Sequence, residues 1–487
     1  MMSEVEFSVS LTQRRALIKA LVCFSHLDEN ETKELAGLMK EELFSPGVVI
    51  VREEELIDRV YILVTGEAEV TFQMRVKKGL KDKINRIPLA VIRAGETIVI
   101  VGMARTPQGK LLGALKDFAG YQLGSFAIKA AITNAKIQPQ DIHEVLMGCV
   151  LPAGQGQAPA RQASIHAGIP NHVGCSTVNK VCGSGMKTVM LAHDSILAGN
   201  PQAIFVAGGM ESMTNAPYLL LKARQGYRLG HSEVIDHMQW DGLEDAYDRG
   251  KVMGYFADLF AKEQSFSRAE QDEYAIRSLE RAQKAIREHR FQSEITPVVV
   301  PSKTGDMIID TDEHPMSVKA EKIPLLKPVF VENGTVTAAN SAAIADGAAA
   351  VIMMHAKEAK KRNLQPLARI VGHSSFAKAS NEFITAPIDA MKNLMAKLNW
   401  SVADVDLFEI NEAFAVVTLA AMRALKIPAE KVNIHGGGCA LGHPIGATGT
   451  RIIITLIAAL KQYGLKRGIA SLCIGGGEAT AVAIEII

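Results

Sequence analysis

The sequence predicts an α/β protein built from two related halves, preceded by a smaller segment of different character. From Ile98 onward, strand-like apolar runs alternate with helical stretches, a pattern typical of parallel α/β units. The same order of glycine turn, apolar helix, strand and second glycine turn occurs twice, beginning at Gly183 and again at Gly446. This internal repeat predicts two similar halves whose helix N-termini face one cleft.

Length and composition narrow the class of protein. At 487 residues the chain exceeds what one core serves, so we expect two or three domains. Lys and Arg total 53 against 52 Asp and Glu, which argues against nucleic acid or an acidic membrane as a partner. The six cysteines show no C-x-x-C spacing, which favours free thiols, a reducing compartment and no metal site. The start lacks a signal-peptide pattern, and the apolar run 452–460 is too short to span a bilayer, so we expect a cytoplasmic protein.

Residues 1–96 differ in pattern from the rest. A helix cap at Asp28 precedes short alternating runs at 48–51, 60–64 and 68–72, which predicts a helix followed by a small antiparallel β-roll. In 44–50 and 61–70 the segment resembles the front of cyclic-nucleotide-binding domains. The resemblance ends at Glu96, before that family's phosphate-binding turn. We therefore expect a docking or oligomerisation module more than a nucleotide site.

The stretch 178–186 holds the first candidate for chemistry. It predicts strand, tight turn and helix, with Cys182 at the helix N-terminus, where free N–H groups favour a thiolate. Taken alone, Cys182 is equally well explained as a buried structural thiol. His443 lies in another glycine-rich stretch, Cys473 precedes a third, and Asn411 opens Asn-Glu-Ala-Phe. These residues predict a site assembled from distant segments.

Several motifs in the same order resemble the thiolase family, in particular its acetyl-CoA acetyltransferases. Besides the stretches above, they are Ala104–Pro107, Gly208–Met213, Gly334–Ala338 and Asp346–Ala349. The resemblance runs from about Ile98 to Ile487. It implies the five-layered thiolase fold with two βαβαβαββ halves. The implied domains are 1–96, then 97–365 with an inserted loop domain at about 213–330, then 366–487.

The chemistry assigns a role to each candidate. A thiol of ordinary pKa about 8.5 is mostly protonated at pH 7, so the Cys182 nucleophile needs a base, for which His443 is suited. His443 can later return that proton to the leaving CoA sulfur. Cys473 is the candidate base for deprotonating a second acetyl-CoA. By resemblance, the backbone N–H groups of Cys182 and Gly475 hold the tetrahedral oxyanion, and His443 with a water held by Asn411 polarises the second thioester.

The resemblance also implies the CoA side of the site. The implied contacts are Leu243, Met253, Ala338, Ser341, Ala413 and Phe414. Three positions depart from the family pattern: Ala342 replaces a usual serine, Val252 a histidine and Met316 an arginine. These changes predict a raised KM for CoA esters, unless Lys319 or Lys322 substitutes for the arginine.

The resemblance therefore predicts the condensation of two acetyl-CoA to acetoacetyl-CoA and CoA, or its reverse, through an acetyl thioester on Cys182. No metal or cofactor is implied, CoA being a substrate, and a homotetramer or homodimer is expected. The alternatives are a 3-ketoacyl-CoA thiolase of broader chain length, a decarboxylating ketoacyl synthase, and a nucleotide-responsive binding protein whose thiolase part is silent. We expect a chain starting at Thr97 to keep its activity, and cyclic nucleotides not to alter it.

Overall fold

The computed structural model describes the backbone of residues 67–76 and 83–93 and all of residues 97–303 and 305–487. The chain divides into two compact units, of which the larger holds Thr97–Ala396 and Trp400–Ile487. In the smaller unit, β1 (Glu67–Val76) and β2 (Lys83–Arg93) pair antiparallel. The predicted run at 68–72 lies within β1. The predicted helix after Asp28, the runs at 48–51 and 60–64 and the segment 44–50 lie outside the described residues.

The larger unit begins with strands and helices in alternation, as the apolar pattern predicts. The first strand is buried along its whole length, so it carries apolar side chains on both faces. The elements are β3 (Ile98–Arg105), β4 (Gly109–Lys110), α1 (Gly120–Ala135), β5 (Glu144–Gly148), α2 (Pro159–His166), β6 (Gly174–Val178), α3 (Ser184–Ala198) and β7 (Ile204–Ser212).

An irregular segment follows β7, at the place where the loop domain is predicted. Its longest helix begins at a capping box in which the Ser267 hydroxyl and the Glu270 side chain bond each other's backbone N–H groups. The elements are β8 (Tyr218–Leu219), β9 (Ile235–Asp236), α4 (Met253–Glu263), α5 (Arg268–Arg287), β10 (Val298–Val300), β11 (Met307–Ile309) and α6 (Glu313–Ser317).

The first half closes with β12 (Ala345–His355), which is buried along its whole length and pairs antiparallel with both β3 and β7. The short helix α7 (Ala356–Lys361) follows. The strand order in this half is β3-β12-β7-β5-β6, with β5 parallel to both of its neighbours. Strand β6 therefore lies at the edge of the sheet.

The second half repeats the order of the first. Its elements are β13 (Ala368–Ala377), α8 (Ala386–Leu398), β14 (Leu407–Ile410), α9 (Ala415–Leu425), α10 (Gly438–Leu441), α11 (Thr448–Gln462), β15 (Arg467–Ile474) and β16 (Glu478–Glu485). The strand order β13-β16-β15-β14 matches that of the first half, except that the counterpart of β6 is reduced to a bridge between Phe408 and Val432. The α/β class and the repeat of two similar halves are confirmed.

The two halves share one core. Short antiparallel pairing of Ile98–Ile100 with Ala368–Ile370 joins their strands into a single ten-stranded sheet. Helices α3 and α11 pack on each other, and each contacts strands of the opposite half. A Cβ at Gly449 would lie 2.2 Å from the Met186 nitrogen, so the N-terminal turns of these helices meet almost backbone to backbone. This crossing brings the two glycine-rich turns together. No helix within the described ranges is long and apolar enough to cross a membrane.

Candidate active site

Cys182 lies in a strained turn between β6 and α3. Val181, directly before it, has a φ of 45°, a left-handed conformation that is unfavourable for a β-branched residue. Three local hydrogen bonds hold the turn. Lys180 N donates to Ser184 Oγ (2.8 Å), Ser184 Oγ donates to the Val181 carbonyl (2.7 Å), and Val181 N donates to Asn179 Oδ1 (2.9 Å). The turn therefore positions the Cys182 thiol rigidly.

The second half supplies the turn that faces this thiol. The backbone N–H groups of Gly475 and of Cys182 itself lie near the Cys182 sulfur, and both act to lower the pKa of the thiol. A Cβ at Gly183 would lie 2.4 Å from Ile474 Cδ1, so the two turns are in direct contact. An ion pair between Lys180 and Glu478 joins them from the side. The two N–H groups expected to hold an oxyanion therefore both lie near the nucleophile.

Cys473 lies beside Cys182 at the end of β15. Cys473 is only 1% exposed, and a negative charge on Cys182 would raise the pKa of the Cys473 thiol. The main cause of that raised pKa is burial. The structure thus brings the two sulfur atoms predicted to act as nucleophile and base into one place.

His443 is buried and held by one helix-terminal hydroxyl. Its Nδ1 lies 2.6 Å from Thr448 Oγ1, and that hydroxyl donates its own proton to the Pro444 carbonyl at 3.0 Å. The hydroxyl therefore accepts from Nδ1–H, which leaves Nε2 with a free lone pair. Asn411 Nδ2 lies 3.5 Å from that Nε2. Asn411 Oδ1 is buried with no hydrogen-bond partner among the described residues, as expected of a group that binds a water or a substrate.

Glu211 links the loop after His443 to the segment after β5 through backbone hydrogen bonds. Its carboxylate accepts the backbone N–H groups of Val150 (2.9 Å), Leu151 (3.1 Å) and Gly446 (2.9 Å). The next residue back from Gly446, Ile445, packs in the same apolar cluster as the Cys182 side chain. Through these contacts the loop that carries His443 lies against the nucleophile turn.

Burial sets the protonation states at rest. It raises the pKa of Cys182 to about 11, although the two backbone N–H groups lower it, and the charge of Glu211 raises it slightly further. Burial also lowers the pKa of His443 to about 3, with a smaller contribution from the Arg451 charge. The helix end was expected to favour a thiolate, but desolvation outweighs it. At neutral pH the site therefore holds a thiol and a neutral imidazole.

The predicted CoA contacts divide into three groups. Leu243 packs on the cluster around Cys182, and Met253 Sδ would lie 3.4 Å from a Cβ at Gly475, so both reach the catalytic turns. Ser341 and Phe414 pair through a backbone bridge, and Ala413 accepts the backbone N–H of Ala342 at 2.9 Å. The Ser341 hydroxyl, however, already donates to the Thr337 carbonyl at 2.7 Å.

Ala338 lies elsewhere. It lines a cavity of about 190 Å³ with Ala339, Leu279, His314 and Cys439, and no catalytic candidate lines that cavity. Of the departures from the family pattern, Met316 is 57% exposed on α6, and Val252 caps α4. Lys319 and Lys322 are both exposed in the segment after α6.

Three further residues position the site, and no such role was predicted for them from the sequence. Thr448 and Glu211 carry no signal in the sequence beyond their place in glycine-rich motifs, because their partners are set by the fold. Glu412 was quoted only within its motif. In the structure its carboxylate accepts Tyr274 Oη (2.7 Å) and Ser278 Oγ (2.7 Å) from α5, together with Asn433 Nδ2 (2.9 Å). It thereby anchors the loop after Asn411 to the inserted segment.

Comparisons with known proteins agree with this architecture. The family model "Thiolase, N-terminal domain" matches residues 98–357, and "Thiolase, C-terminal domain" matches residues 364–486. Acetyl-CoA acetyltransferase of Schizosaccharomyces pombe is 44% identical over 390 residues, covering 80% of this chain and 98% of that protein. Acetyl-CoA acetyltransferase 2 of Arabidopsis thaliana is 46% identical over 394 residues, with 80% and 97% covered.

A solved structure matches as well. The Acat5 thiolase from Ascaris suum, crystallised in complex with coenzyme A, superposes with a TM-score of 0.75 at 36% identity. The match covers 80% of this chain and 100% of that one. The family matches begin at residue 98 and so do not extend to the segment that resembles cyclic-nucleotide-binding domains, which stays a prediction.

Proposed function

This chain belongs to the thiolase family, and from that premise we propose that it is an acetyl-CoA C-acetyltransferase. It would condense two acetyl-CoA to acetoacetyl-CoA and CoA, reversibly, through an acetyl thioester on Cys182. The names of the relatives at 44% and 46% identity support the acetyl substrate. The coenzyme A in the Ascaris suum structure supports the carrier. A broader chain-length preference remains the alternative within the family.

The single observation that carries the proposal is the convergence on one thiol. The Cys182 sulfur lies near two backbone N–H groups and within the influence of a second buried thiol, and its side chain packs in one cluster with Ile445 from the loop that holds His443. A buried structural cysteine has no need of two nearby N–H donors, a strained turn and an adjoining loop that carries an imidazole. Acyl transfer needs all of them.

In the first half-reaction, His443 Nε2 takes the Cys182 proton as the sulfur attacks the acetyl carbonyl. The N–H groups of Cys182 and Gly475 stabilise the oxygen of the tetrahedral adduct, and each such donor is worth about 3 kcal/mol. The adduct then collapses, the carbon–sulfur bond to CoA breaks, and acetyl-Cys182 remains.

The source of the proton for the departing CoA sulfur decides the next step. If His443 returned its proton, as expected from the sequence, Cys473 would still hold its own proton and could not act as the base for the second acetyl-CoA. If Cys473 gives the proton instead, one transfer forms CoA thiol and the thiolate base together. It also leaves His443 protonated at Nε2 and ready to donate. We adopt this second route.

In the second half-reaction, the Cys473 thiolate removes a methyl proton from a second acetyl-CoA. His443 and a water on Asn411 stabilise the enolate oxygen, and the enolate carbon attacks acetyl-Cys182. When the new adduct collapses to acetoacetyl-CoA, the Cys182 thiolate takes back the proton of His443. Both thiols and the neutral imidazole are then restored, so protons balance over the cycle.

A mass spectrum after brief exposure to acetyl-CoA tests this assignment. We expect one acetyl adduct on the Cys182 peptide of the wild-type chain and none in Cys182→Ser. Cys473→Ser is expected to form the adduct more slowly, because the CoA sulfur loses its proton donor, and to make no acetoacetyl-CoA. An adduct on another residue, or full condensation by Cys473→Ser, would contradict the roles proposed here. Supplying acetyl-CoA alone, without a malonyl thioester, also separates the reaction from a decarboxylating synthase.

We further propose self-association as a homodimer or homotetramer. Side chains of the edge strand β6 are largely exposed, and among the described residues β6 pairs only with β5. The segment after β7 also exposes Tyr218 (68%), Leu220 (56%) and Leu229 (101%). An open edge and exposed apolar side chains are typical of interfaces. Light scattering on the full chain would measure the assembly.

The location and the cofactor requirement stay predictions. A reducing, cytoplasmic environment suits a mechanism in which two neighbouring thiols must both remain reduced. Activity measured after chelation and gel filtration would test the prediction that catalysis needs no metal or cofactor.

A further inference from the structure

The structure brings three metal-ligating side chains together far from the catalytic thiols. We propose that His193, Asp194 and His373 form a binding site for one divalent transition-metal ion of the Zn²⁺ class. The ion would join the end of α3 to β13. This site is independent of the proposed function.

The geometry of the cluster is the first support. Asp194 Oδ1 lies 3.1 Å from His193 Nδ1 and 2.8 Å from His373 Nε2. One ligand atom from each residue falls within 4.8 Å of the other two. In a tetrahedral site with bonds of about 2.0–2.1 Å, neighbouring ligand atoms lie about 3.3 Å apart. Small rotations of the side chains would adjust the ligand atoms to that spacing.

The donor set is the second support. Two imidazole nitrogens and one carboxylate suit Zn²⁺, Co²⁺ and similar ions, and they leave at least one position for water. The imidazoles are held in place rather than mobile. The His193 and His373 side chains are only 12% and 15% exposed, and their rings meet edge to face at 5.1 Å. Asp194 is 54% exposed, so an ion can enter from solvent.

The position in the fold is the third support. His193 and Asp194 lie in the last turns of α3, where the negative end of the helix dipole favours a cation. His373 comes from β13 in the other half, 179 residues away from Asp194 in sequence. A bound ion would therefore cross-link the two halves at the opposite end of α3 from Cys182. From Ser184 to His193 the helix rises about 14 Å, too far for the ion to contact the nucleophile.

The metal ion and the ring protons compete for the same imidazole nitrogen atoms. Each imidazole must present a lone pair to the ion, so the ring nitrogens that now hydrogen-bond to Asp194 can bind it only in the tautomer that carries the proton on the other nitrogen. Among the described residues, Asp194 is the acidic group that lies within hydrogen-bonding distance of both the His193 and the His373 ring.

The test uses the full chain, stripped with chelator and titrated with Zn²⁺ or Co²⁺ by equilibrium dialysis and absorbance. We expect one saturable site per chain, a raised Tm with metal, and a Co²⁺ spectrum without thiolate charge-transfer bands. Asp194→Asn combined with His373→Gln should lower the affinity at least about tenfold and abolish the shift in Tm. The exposed His172→Gln is the matched control and should bind as wild type.

Acetyltransferase activity without metal should be the same in all of these variants, which separates this proposal from the catalytic one. His193→Gln provides a second variant if the double substitution folds poorly. The proposal is overturned by the absence of saturable binding. It is equally overturned if binding survives the double variant, or if Cys182→Ser abolishes it.

Discussion

Replacing Thr448 by valine isolates the hydroxyl that orients the general base. Valine keeps the shape of the side chain but removes the acceptor that lies 2.6 Å from His443 Nδ1. The buried Nδ1–H is then left without its partner, which costs about 1–3 kcal/mol. The tautomer with its lone pair on Nε2 loses the same stabilisation. Because each 1.36 kcal/mol is a factor of ten in rate, kcat/KM should fall about 10- to 100-fold.

The step affected is acylation of Cys182, since the neutral imidazole must take the thiol proton there. Rapid-quench measurement of acetyl-enzyme formation, together with steady-state thiolysis of acetoacetyl-CoA, reports it directly. Thr448→Ser keeps the hydroxyl and should stay within about threefold of wild type. Thr455→Val removes another buried hydroxyl of the same helix, one that bonds Glu294 rather than His443, and serves as the matched control. Acylation by Thr448→Val within twofold of wild type would refute this role of the hydroxyl.

The remaining predictions follow from burial and close packing. Because burial raises the pKa of Cys182 to about 11, the rate of alkylation of the free enzyme by iodoacetamide should rise about tenfold per pH unit between pH 7 and 9. A rate that stays constant below pH 7 would instead reveal a resting thiolate. Burial raises the pKa of Glu211 from 4.5 to about 7, so the folded state binds its proton more tightly than the unfolded state. This contribution to the free energy of unfolding is full below about pH 4.5 and is lost as the pH rises through 7. Urea unfolding of Glu211→Gln should therefore lack up to about 3 kcal/mol of the decline that wild type shows between pH 5 and 8, and parallel curves would count against the shift. Gly449→Ala forces a methyl group against the Met186 nitrogen and should lower the free energy of unfolding by about 1–3 kcal/mol or more. Gly174→Ala is the control, because its Cβ would meet nothing within 4 Å, and it should change the free energy of unfolding by about 0.5 kcal/mol or less.

Motif chemistry in the sequence predicted the candidate reacting groups. Cys182 and His443 lie in glycine-rich turns and Cys473 lies just before one. Such turns let a substrate approach the backbone, and they are visible in any sequence. The alternation of strands and helices and the repeat of Gly183 and Gly446 likewise predicted two α/β halves. The edge-to-edge joining of the halves through β3 and β13 was not predicted, since pairing across half the chain has no local signal.

The sequence by itself determined the class of fold, the order of the elements and the candidates for nucleophile, imidazole and second thiol, since these depend on residue type and short spacing. Only the tertiary structure decided their protonation states, because burial, not the helix end, sets the pKa values of Cys182 and His443. It also decided which hydroxyl orients His443 and which carboxylate anchors its loop. It alone placed His193 beside His373. Desolvation and long-range contact arise from packing, and no pattern of neighbouring residues encodes them.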